Sequence, residues 1–445
     1  MALAPSTPLA PDPDLQTGLQ YIRAGWFDRA EPHFRSALGR HGERPDILHF
    51  LAVCLSQRGA LAEAEGLWRK ALAKDPSEPL LSYNLALVAR RQGRLDEAAR
   101  RLRDTLRRQP EHFEARVALA SVHMDQARYA AAERELAELV AKLDVAIQEG
   151  AAVKPLQARA RNMMGYALYR LGRNEEAIDV LDMALVDAED DGPRRAQILG
   201  DRALALGALG HHEEAFAAVQ QALELAPDSA ALHHVVGFLL HFAGQSAEAI
   251  EPLQRALELD PGFAAAMKTL ALAQAAAGND DDVVSLLQRA LQASPGDRDA
   301  VLQLSLHHLE RNRFGDALAV LAPYLGEAPN DARALNNQGL ALRGLGRFDE
   351  ARRALKRASR VLPDDPFVLT NLGRVLLDLE RATEARPLHE KALKSLPGDS
   401  RLLAHYGACL AALGEYDKAQ ETLDAALAAD PNNEEALDAR LNLPA

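Results

Sequence analysis

Cysteine and aromatic residues are scarce in this sequence. Only two of the 445 residues are cysteines, Cys54 and Cys409, and they lie near opposite ends of the chain. Two cysteines cannot cross-link a chain of this length, so a disulfide-stabilised scaffold is excluded. Phe, Trp and Tyr make up only 5 % of the residues although 48 % are hydrophobic. Alanine and leucine must therefore supply most of the core, and both residues favour helices.

The sequence also lacks the features of membrane, secreted and nucleic-acid-binding proteins. It contains no apolar run near the ~18 residues of a membrane-spanning helix. Residues 1–14 have neither a basic start nor a sustained apolar run, so they do not form a secretory signal. A formal net charge of −13 argues against binding to nucleic acid. We therefore expect a cytoplasmic protein without membrane insertion and without a nucleic-acid partner.

Proline recurs at a fixed interval of 34 residues through the second half of the chain, and Pro76 and Pro110 show the same interval earlier. Glycine and alanine recur with the same period at other positions. A repeat of this length indicates a protein built from stacked, similar units. The regular series of prolines is Pro227, Pro261, Pro295, Pro329, Pro363, Pro397 and Pro431.

The segment 332–365 shows how one repeat encodes two helices. Its apolar residues follow helical spacing, and Gly346 allows the left-handed conformation that ends the first helix. Asp349 and Glu350 favour the start of a second helix, because acidic side chains stabilise a helix N-terminus. Pro363 ends that helix, since proline cannot continue the hydrogen-bond ladder. The hairpin cannot bury both of its faces alone and must stack on its neighbours.

With this pattern the chain resembles the tetratricopeptide repeat family. Tyr21 matches the family's aromatic residue at position 11 of the unit, and Phe34 and Trp68 match the one at position 24, where most later units have leucine. The resemblance implies an all-α fold, a right-handed superhelical solenoid of about twelve helix-turn-helix repeats over nearly the whole chain. The predicted units begin at Pro11, Pro45, Pro79, Phe113, Ala158, Ala196, Ala230, Ala264, Arg298, Ala332, Pro366 and Ser400.

Insertions divide the predicted chain into segments. We predict a disordered, proline-rich tail at residues 1–10, an N-terminal lobe of four repeats at residues 11–149 whose last helix is elongated, and a break in register at residues 150–157. A C-terminal lobe of eight repeats follows at residues 158–433, and a capping helix with a short tail covers residues 434–445. The insertion at residues 140–157 is either a hinge or only a packing irregularity. A second insertion at residues 189–193 is expected to form an acidic surface loop.

The sequence contains no recognisable motif for catalysis or for metal binding. It has no glycine-rich phosphate loop, no nucleophile elbow and no His-Glu-x-x-His. Cys54 and Cys409 both fall at a first-helix position that suits a small apolar residue. His234 and His241 are seven residues apart with no third ligand near them in sequence, so histidines on a surface or in a groove are expected. We therefore predict a protein that is not an enzyme and that binds no cofactor or metal.

Members of the family line the inner surface of their superhelix with a fixed set of first-helix positions. If this arrangement applies here, two repeats in the middle of the chain place aromatic rings in the groove, outside the helix-pair core. Exposed aromatic residues are typical of binding surfaces. The candidate residues of these repeats are Arg159, Asn162, Tyr166, Tyr169, His234, Phe238, His241 and Phe242.

Later repeats supply basic residues and asparagines at these positions or, for Asn337 and Asn371, at the sixth position of the repeat. Asparagine can pair with the backbone of an extended peptide, and arginine binds carboxylates. These residues predict extended or acidic peptide segments as partners, although they could also only balance the charge of an acidic protein. The candidates are Lys268, Arg333, Asn336, Asn337, Arg343, Asn371, Arg374 and Arg401.

Together these features favour a non-catalytic scaffold or adaptor that binds other proteins in its concave groove. The alanine- and arginine-rich composition is typical of bacterial proteins, and similar bacterial proteins act in pilus, motility, secretion or envelope assemblies. An alternative is a substrate-recruiting, non-catalytic subunit of an enzyme system such as a glycosyltransferase. Self-association through the ends of the solenoid is a third interpretation. The sequence leaves open whether the concave or the convex face binds the partner.

Overall fold

The computed structural model describes residues 12–280 and 282–444, so the tail predicted at residues 1–10 lies outside the described residues. In the described part of the chain the secondary structure consists of 25 α-helices without any strand, which confirms the all-α prediction. None of these helices is both long enough and apolar enough to cross a membrane.

The chain divides into two compact units, Met1–Asp228 and Ser229–Ala445. The helices of the first unit are α1 (Pro13–Arg23), α2 (Phe27–His41), α3 (Pro45–Gln57), α4 (Leu61–Lys74), α5 (Pro79–Arg91), α6 (Leu95–Arg108), α7 (Phe113–Asp125), α8 (Tyr129–Gln148), α9 (Lys154–Arg170), α10 (Asn174–Asp187), α11 (Gly192–Ala208) and α12 (His212–Leu225). The helices of the second unit are α13 (Ala230–Phe242), α14 (Ser246–Leu259), α15 (Ala264–Ala276), α16 (Val283–Ala293), α17 (Arg298–Glu310), α18 (Phe314–Glu327), α19 (Ala332–Gly344), α20 (Phe348–Val361), α21 (Pro366–Asp378), α22 (Ala382–Ser395), α23 (Ser400–Ala412), α24 (Tyr416–Ala429) and α25 (Glu434–Leu441).

Within each unit the helices form consecutive hairpins that stack in chain order, as a helical-repeat solenoid does. Each odd-numbered helix from α1 to α23 is the first helix of a repeat, and the following even-numbered helix is the second. The second helix packs against the first helices on both sides of it, and first helices of adjacent repeats also meet, as α17 meets α19. The odd-numbered helices of a unit thus share one side, which we call its first-helix surface.

A glycine in the first helix lets the two helices of a repeat approach closely. A Cβ atom added to Gly339 would lie only 2.4 Å from Cγ of Leu355, a fully buried side chain on α20. Gly237 faces Leu253 at the same distance. The missing side chain therefore makes room for a large apolar residue of the partner helix. Gly346 follows α19 with a φ of +72°, so the predicted glycine helix stop is confirmed there.

The insertions lengthen helices. Helix α8 has 20 residues, whereas α4, α6 and α10 have 14 each. Helix α9 starts at Lys154, four residues before the predicted start of its repeat. Only residues 149–153 separate it from α8. The boundary between the compact units follows Asp228, whereas the break predicted at residues 150–157 lies inside the first unit. A division into lobes at that break stays a prediction.

The prediction of an acidic surface loop at residues 189–193 is wrong for residues 192 and 193. Gly192 and Pro193 form the first residues of α11, which has 17 residues. The side chain of Asp191 caps this helix by accepting a hydrogen bond from the backbone N–H of Arg194 at 3.0 Å. Proline is favoured in the first turn of a helix, because its missing N–H has no intrahelical partner there. The second insertion therefore adds a helical turn.

Candidate functional site

All candidate residues lie on first helices of their repeats. They are carried by α9 in the first unit and by α13, α15, α19, α21 and α23 in the second. Their repeats bury a different set of side chains in the core, such as Leu335 and Leu342 of α19. Helical spacing thus separates a core stripe from a polar and aromatic stripe on the same helix. The structure gathers the candidates into three clusters, one in the first unit and two in the second.

The cluster of the first unit contains tyrosines beside a stacked arginine. The ring centroids of Tyr166 and Tyr169 are 6.1 Å apart. The guanidinium of Arg170 lies 4.4 Å from the ring centroid of Tyr129 and donates a hydrogen bond of 3.1 Å to the hydroxyl of Tyr166. Arg159 is exposed on the same helix. Arg170 thus places a cation against the ring of Tyr129, on the second helix α8, and 5.9 Å from the ring centroid of Tyr166.

Asp201 on α11 belongs to this cluster and is absent from the sequence-based candidates. Its carboxylate accepts a hydrogen bond from the amide of Asn162, a buried side chain on α9. Burial raises the pKa of Asp201 to about 7, although the Asn162 hydrogen bond acts to lower it. The sequence carries one signal for this residue, since Asp201 takes the sixth position of its repeat, as Asn337 and Asn371 do in theirs.

The second cluster is an aromatic row on α13. The ring centroids of Phe238 and Phe242 are 4.4 Å apart, and Phe242 is 64 % exposed. Nε2 of His234 is 3.0 Å from the hydroxyl of Thr269. Burial lowers the pKa of His234 to about 4, with the charge of Lys268 contributing, so the ring is neutral near pH 7. The row can therefore offer aromatic faces without a positive charge.

Two further candidates of this region have partners within the chain. Nδ1 of His241 is 3.0 Å from the hydroxyl of Ser246, and Nζ of Lys268 is 2.8 Å from a carboxylate oxygen of Asp297. Across residues 12–280 and 282–444, no three His, Cys, Asp or Glu side chains are grouped closely enough to hold a metal ion.

The third cluster begins with a row of amides on α19 and α21 that continues to a serine hydroxyl on α17. Nδ2 of Asn371 on α21 donates to Oδ1 of Asn336 on α19 at 2.9 Å, and Asn336 approaches Asn337 at 3.5 Å. Asn337 in turn donates to the hydroxyl of Ser305 on α17 at 3.0 Å. The structure thus brings together all three candidate asparagines of the second unit, and they hold one another in fixed orientations.

The arginines beside this row divide into two kinds. Arg343 forms a two-point ion pair with Asp378, one of its distances being 3.1 Å. Nη2 of Arg374 lies 2.8 Å from Oε1 of Glu435 on the last helix, α25. Arg333 and Arg401 are exposed and have no ion pair among the residues that the structure describes. Two of the four arginines beside the row therefore already bind carboxylates of this chain.

Glu435 is held by two side chains at once. Its second oxygen, Oε2, is 3.2 Å from Nε2 of His405 on α23. Burial lowers the pKa of His405 to about 2, and the positive charge of Arg374 adds to the effect. Burial also lowers the pKa of the Arg374 guanidinium. His405 is therefore neutral near pH 7, so its contact with Glu435 is not an ion pair.

A cavity of about 620 Å³ lies elsewhere in the second unit, between α16, α17 and α18. Its walls are mainly apolar and include Leu291, Val301 and Val320. Tyr324 lines it at a repeat position that alanine occupies in most other repeats. No candidate residue lines this cavity, so it is separate from the three clusters.

The sequence matches three family models, each of which describes the tetratricopeptide repeat. One model matches residues 15–79, 83–144, 241–298 and 302–366, which together make up more than half of the chain. A second matches residues 156–228, and a third matches residues 376–443. No curated protein matches the sequence.

Two solved structures illustrate the structural similarities. A chain of the APC/C hetero-tetramer Cut9–Hcn1 has 15 % sequence identity and a TM-score of 0.49, and the alignment covers 95 % of this chain and 94 % of that one. A tetratricopeptide repeat protein from Parabacteroides merdae has 16 % identity and a TM-score of 0.48, with 59 % of this chain and 97 % of that one covered.

Proposed function

The chain belongs to the tetratricopeptide repeat family, and on this premise we propose that it is a non-catalytic scaffold or adaptor that binds extended segments of other proteins on its first-helix surfaces. In the second unit, the preferred partner segment is acidic. The binding residues of this proposal are the amide row and the arginines of α19, α21 and α23.

The observation that carries this proposal is the capture of Glu435 by Arg374 and His405. A carboxylate 61 residues away in sequence from Arg374 is bound on the first-helix surface, which supports the proposal that an acidic partner binds there in the same way. Arg374 is only 23 % exposed, so its interaction is screened less than that of a fully solvated side chain. A charge-assisted hydrogen bond of this kind contributes ~1.5–3 kcal/mol.

The asparagine row supplies the second requirement for an extended segment. Each amide carries both a donor and an acceptor, as each peptide unit of the partner does. Asn336 and Asn371 are partly exposed and lie on adjacent first helices within hydrogen-bond distance of each other. They are spaced so that an extended backbone crossing α19 and α21 can exchange hydrogen bonds with both. Arg333 and Arg401 then offer further charges beside the row.

The test uses a fluorescein-labelled decaglutamate peptide and the corresponding decaglutamine peptide, with binding measured by fluorescence anisotropy at low salt. Arg374→Gln combined with Arg401→Gln should abolish most binding of the acidic peptide. The matched control is Arg352→Gln combined with Arg357→Gln, which removes two arginines from the second helix α20. Binding that depends on the α20 pair and not on the inner pair would overturn the proposal. Equal melting temperatures of the two variants exclude a folding defect.

For the cellular setting, we propose a bacterial cytoplasm. The alanine- and arginine-rich composition supports a bacterial, cytoplasmic protein that acts in a pilus, motility, secretion or envelope assembly. Purification of the intact protein with its partners, followed by mass spectrometry, tests this setting. A co-purified transferase would instead favour the alternative of a substrate-recruiting subunit, such as that of a glycosyltransferase. Light scattering at increasing concentration tests self-association.

A further inference from the structure

The first unit contains a half-buried carboxylate without a cationic partner on its first-helix surface. We propose that Asp201, together with Tyr166 and Tyr169, forms a binding pocket for one lysine or arginine side chain of a partner segment. This inference rests on the proposed function, because it uses the same kind of surface, and it assigns a basic rather than an acidic partner residue to the first unit.

The pocket is built by two adjacent first helices, α9 and α11, which pack against each other. Asn162 on α9 is 4 % exposed and directs its amide N–H to the carboxylate of Asp201. Its Oδ1 atom is buried and has no hydrogen-bond partner among the described residues. Buried polar atoms without a partner are rare in folded proteins and require a specific reason. The amide of Asn162 thus faces Asp201 with its N–H while its own oxygen stays unpaired.

Asp201 lacks a cationic partner, unlike two carboxylates of the adjacent helix α10. Asp187 binds Arg161 at 2.5 Å, and Asp182 binds Arg202 at 2.7 Å. Asp201 has no ion pair within the described ranges 12–280 and 282–444. Because no nearby cation offsets its burial, the pKa of Asp201 rises to about 7. A bound ammonium or guanidinium group would restore the ordinary, charged state of the carboxylate.

The tyrosines supply the second half of the pocket. Tyr166 and Tyr169 are both partly exposed, and the charge of Asp201 contributes to the raised pKa of Tyr169, whose main cause is burial. The ring of Tyr166 already lies 5.9 Å from the guanidinium of Arg170. Aromatic faces beside a carboxylate attract a cation through two effects that add, the ring quadrupole and the direct charge. A neutral aliphatic side chain gains neither of them.

The experiment uses a fluorescein-labelled alanine-serine decapeptide that carries one central lysine, and the same peptide with acetyl-lysine in that place. Acetylation removes the charge and keeps the aliphatic chain. The lysine peptide should bind the wild-type protein about tenfold more tightly than the acetylated one. Asp201→Asn should abolish this difference, and Asp182→Asn, which removes an acidic residue of the same unit, should preserve it. Equal binding of both peptides to the wild type, or a difference that survives Asp201→Asn, would overturn the pocket.

Two further readouts separate this inference from a folding defect and from the proposed function. Asp201→Asn removes a half-buried carboxylate that lacks an ion pair, so its melting temperature should equal or exceed that of the wild type. A lower melting temperature would show that Asp201 serves the fold and would overturn the pocket. If the acidic decapeptide binds at Arg374 while the lysine peptide shows no preference at Asp201, only the pocket fails. If neither peptide binds, the proposed function fails with it.

Discussion

Oε1 of Glu435 lies 2.8 Å from the guanidinium of Arg374, although 61 residues separate them in sequence. Glu435 belongs to the last helix, α25, which packs on α23 and α24. The end of the chain thus places a carboxylate where an acidic partner is proposed to bind. A partner must displace Glu435 before it can reach Arg374, so the affinity of the surface depends on this contact.

Removal of the charge of Glu435 should strengthen acidic-peptide binding. Glu435→Gln frees Arg374 and His405 from competition, and the affinity for the decaglutamate peptide should rise by up to roughly tenfold, which corresponds to the loss of one competing charged hydrogen bond. Glu434→Gln is the matched control, because it removes an exposed charge from the same helical turn without touching Arg374. Anisotropy titrations measure both. An equal gain in the two variants would indicate a general charge effect.

A side chain at Gly237 should destabilise the second unit. The Cβ atom of Gly237→Ala would lie 2.4 Å from Cγ of Leu253, so the helices must move apart at a cost of ~1–3 kcal/mol. Gly262→Ala is the comparison, since its Cβ atom would have its nearest contact at 3.4 Å, to the flexible side chain of Asp260. Urea unfolding followed by circular dichroism should show a lower midpoint for the first variant only. Identical midpoints would contradict the packing described for these repeats.

His389 should make the protein less stable as the pH falls from 7 to 5. Burial lowers the pKa of His389 to about 4, with the charge of Arg374 contributing, and neither ring nitrogen has a hydrogen-bond partner among the described side chains. The unfolded chain takes up a proton near pH 6.5 that the folded chain rejects, so acid favours unfolding. At pH 5 the protonation of this residue in the unfolded chain lowers the free energy of unfolding by ~1–2 kcal/mol.

Leucine in place of His389 tests this dependence. His389 faces Gly373 as Leu355 faces Gly339, so leucine fits the position without a titratable group. His389→Leu should be more stable than the wild type at pH 5 and should lose part of the slope of unfolding free energy between pH 7 and 5. His211→Gln, at an exposed histidine, should keep the wild-type slope. A slope unchanged by His389→Leu would show that other groups carry the acid sensitivity.

Both cysteines should resist alkylation while the protein is folded. Burial raises the pKa of the Cys54 thiol to about 12 and that of Cys409 to about 11, and both side chains are fully buried. The reactive thiolate is therefore scarce and inaccessible at pH 8. Mass spectrometry after treatment with iodoacetamide should show an unmodified chain under native conditions and two modifications in concentrated urea. Rapid native labelling of either residue would mean that its repeat opens locally.

The repeats could be predicted well from the sequence because every repeat contains the same local signals for its two helices. The predicted starts at Ala230, Ala264 and Ala332 are the observed starts of α13, α15 and α19. Three features recur with the period: a glycine at the close contact, a leucine opposite it and a proline after the second helix. Each of them acts within one hairpin. Helices α9 and α11 begin four residues before their predicted starts. Inserted residues that favour helix can lengthen a helix just as they can lengthen a loop, and repeat periodicity does not distinguish the two outcomes.

The amino-acid sequence by itself determined the all-α repeat fold, the helix pairs and the identity of the polar stripe on the first helices. Tertiary structure alone decided which of those side chains already have partners. Glu435 forms an ion pair with Arg374, Asp378 forms one with Arg343, and the amide of Asn162 donates a hydrogen bond to Asp201. Such pairs join different helices, and their distances depend on the rotation and translation between stacked helices. Periodicity specifies the face on which a residue lies, whereas a charged pair also requires the two faces to meet within about 4 Å.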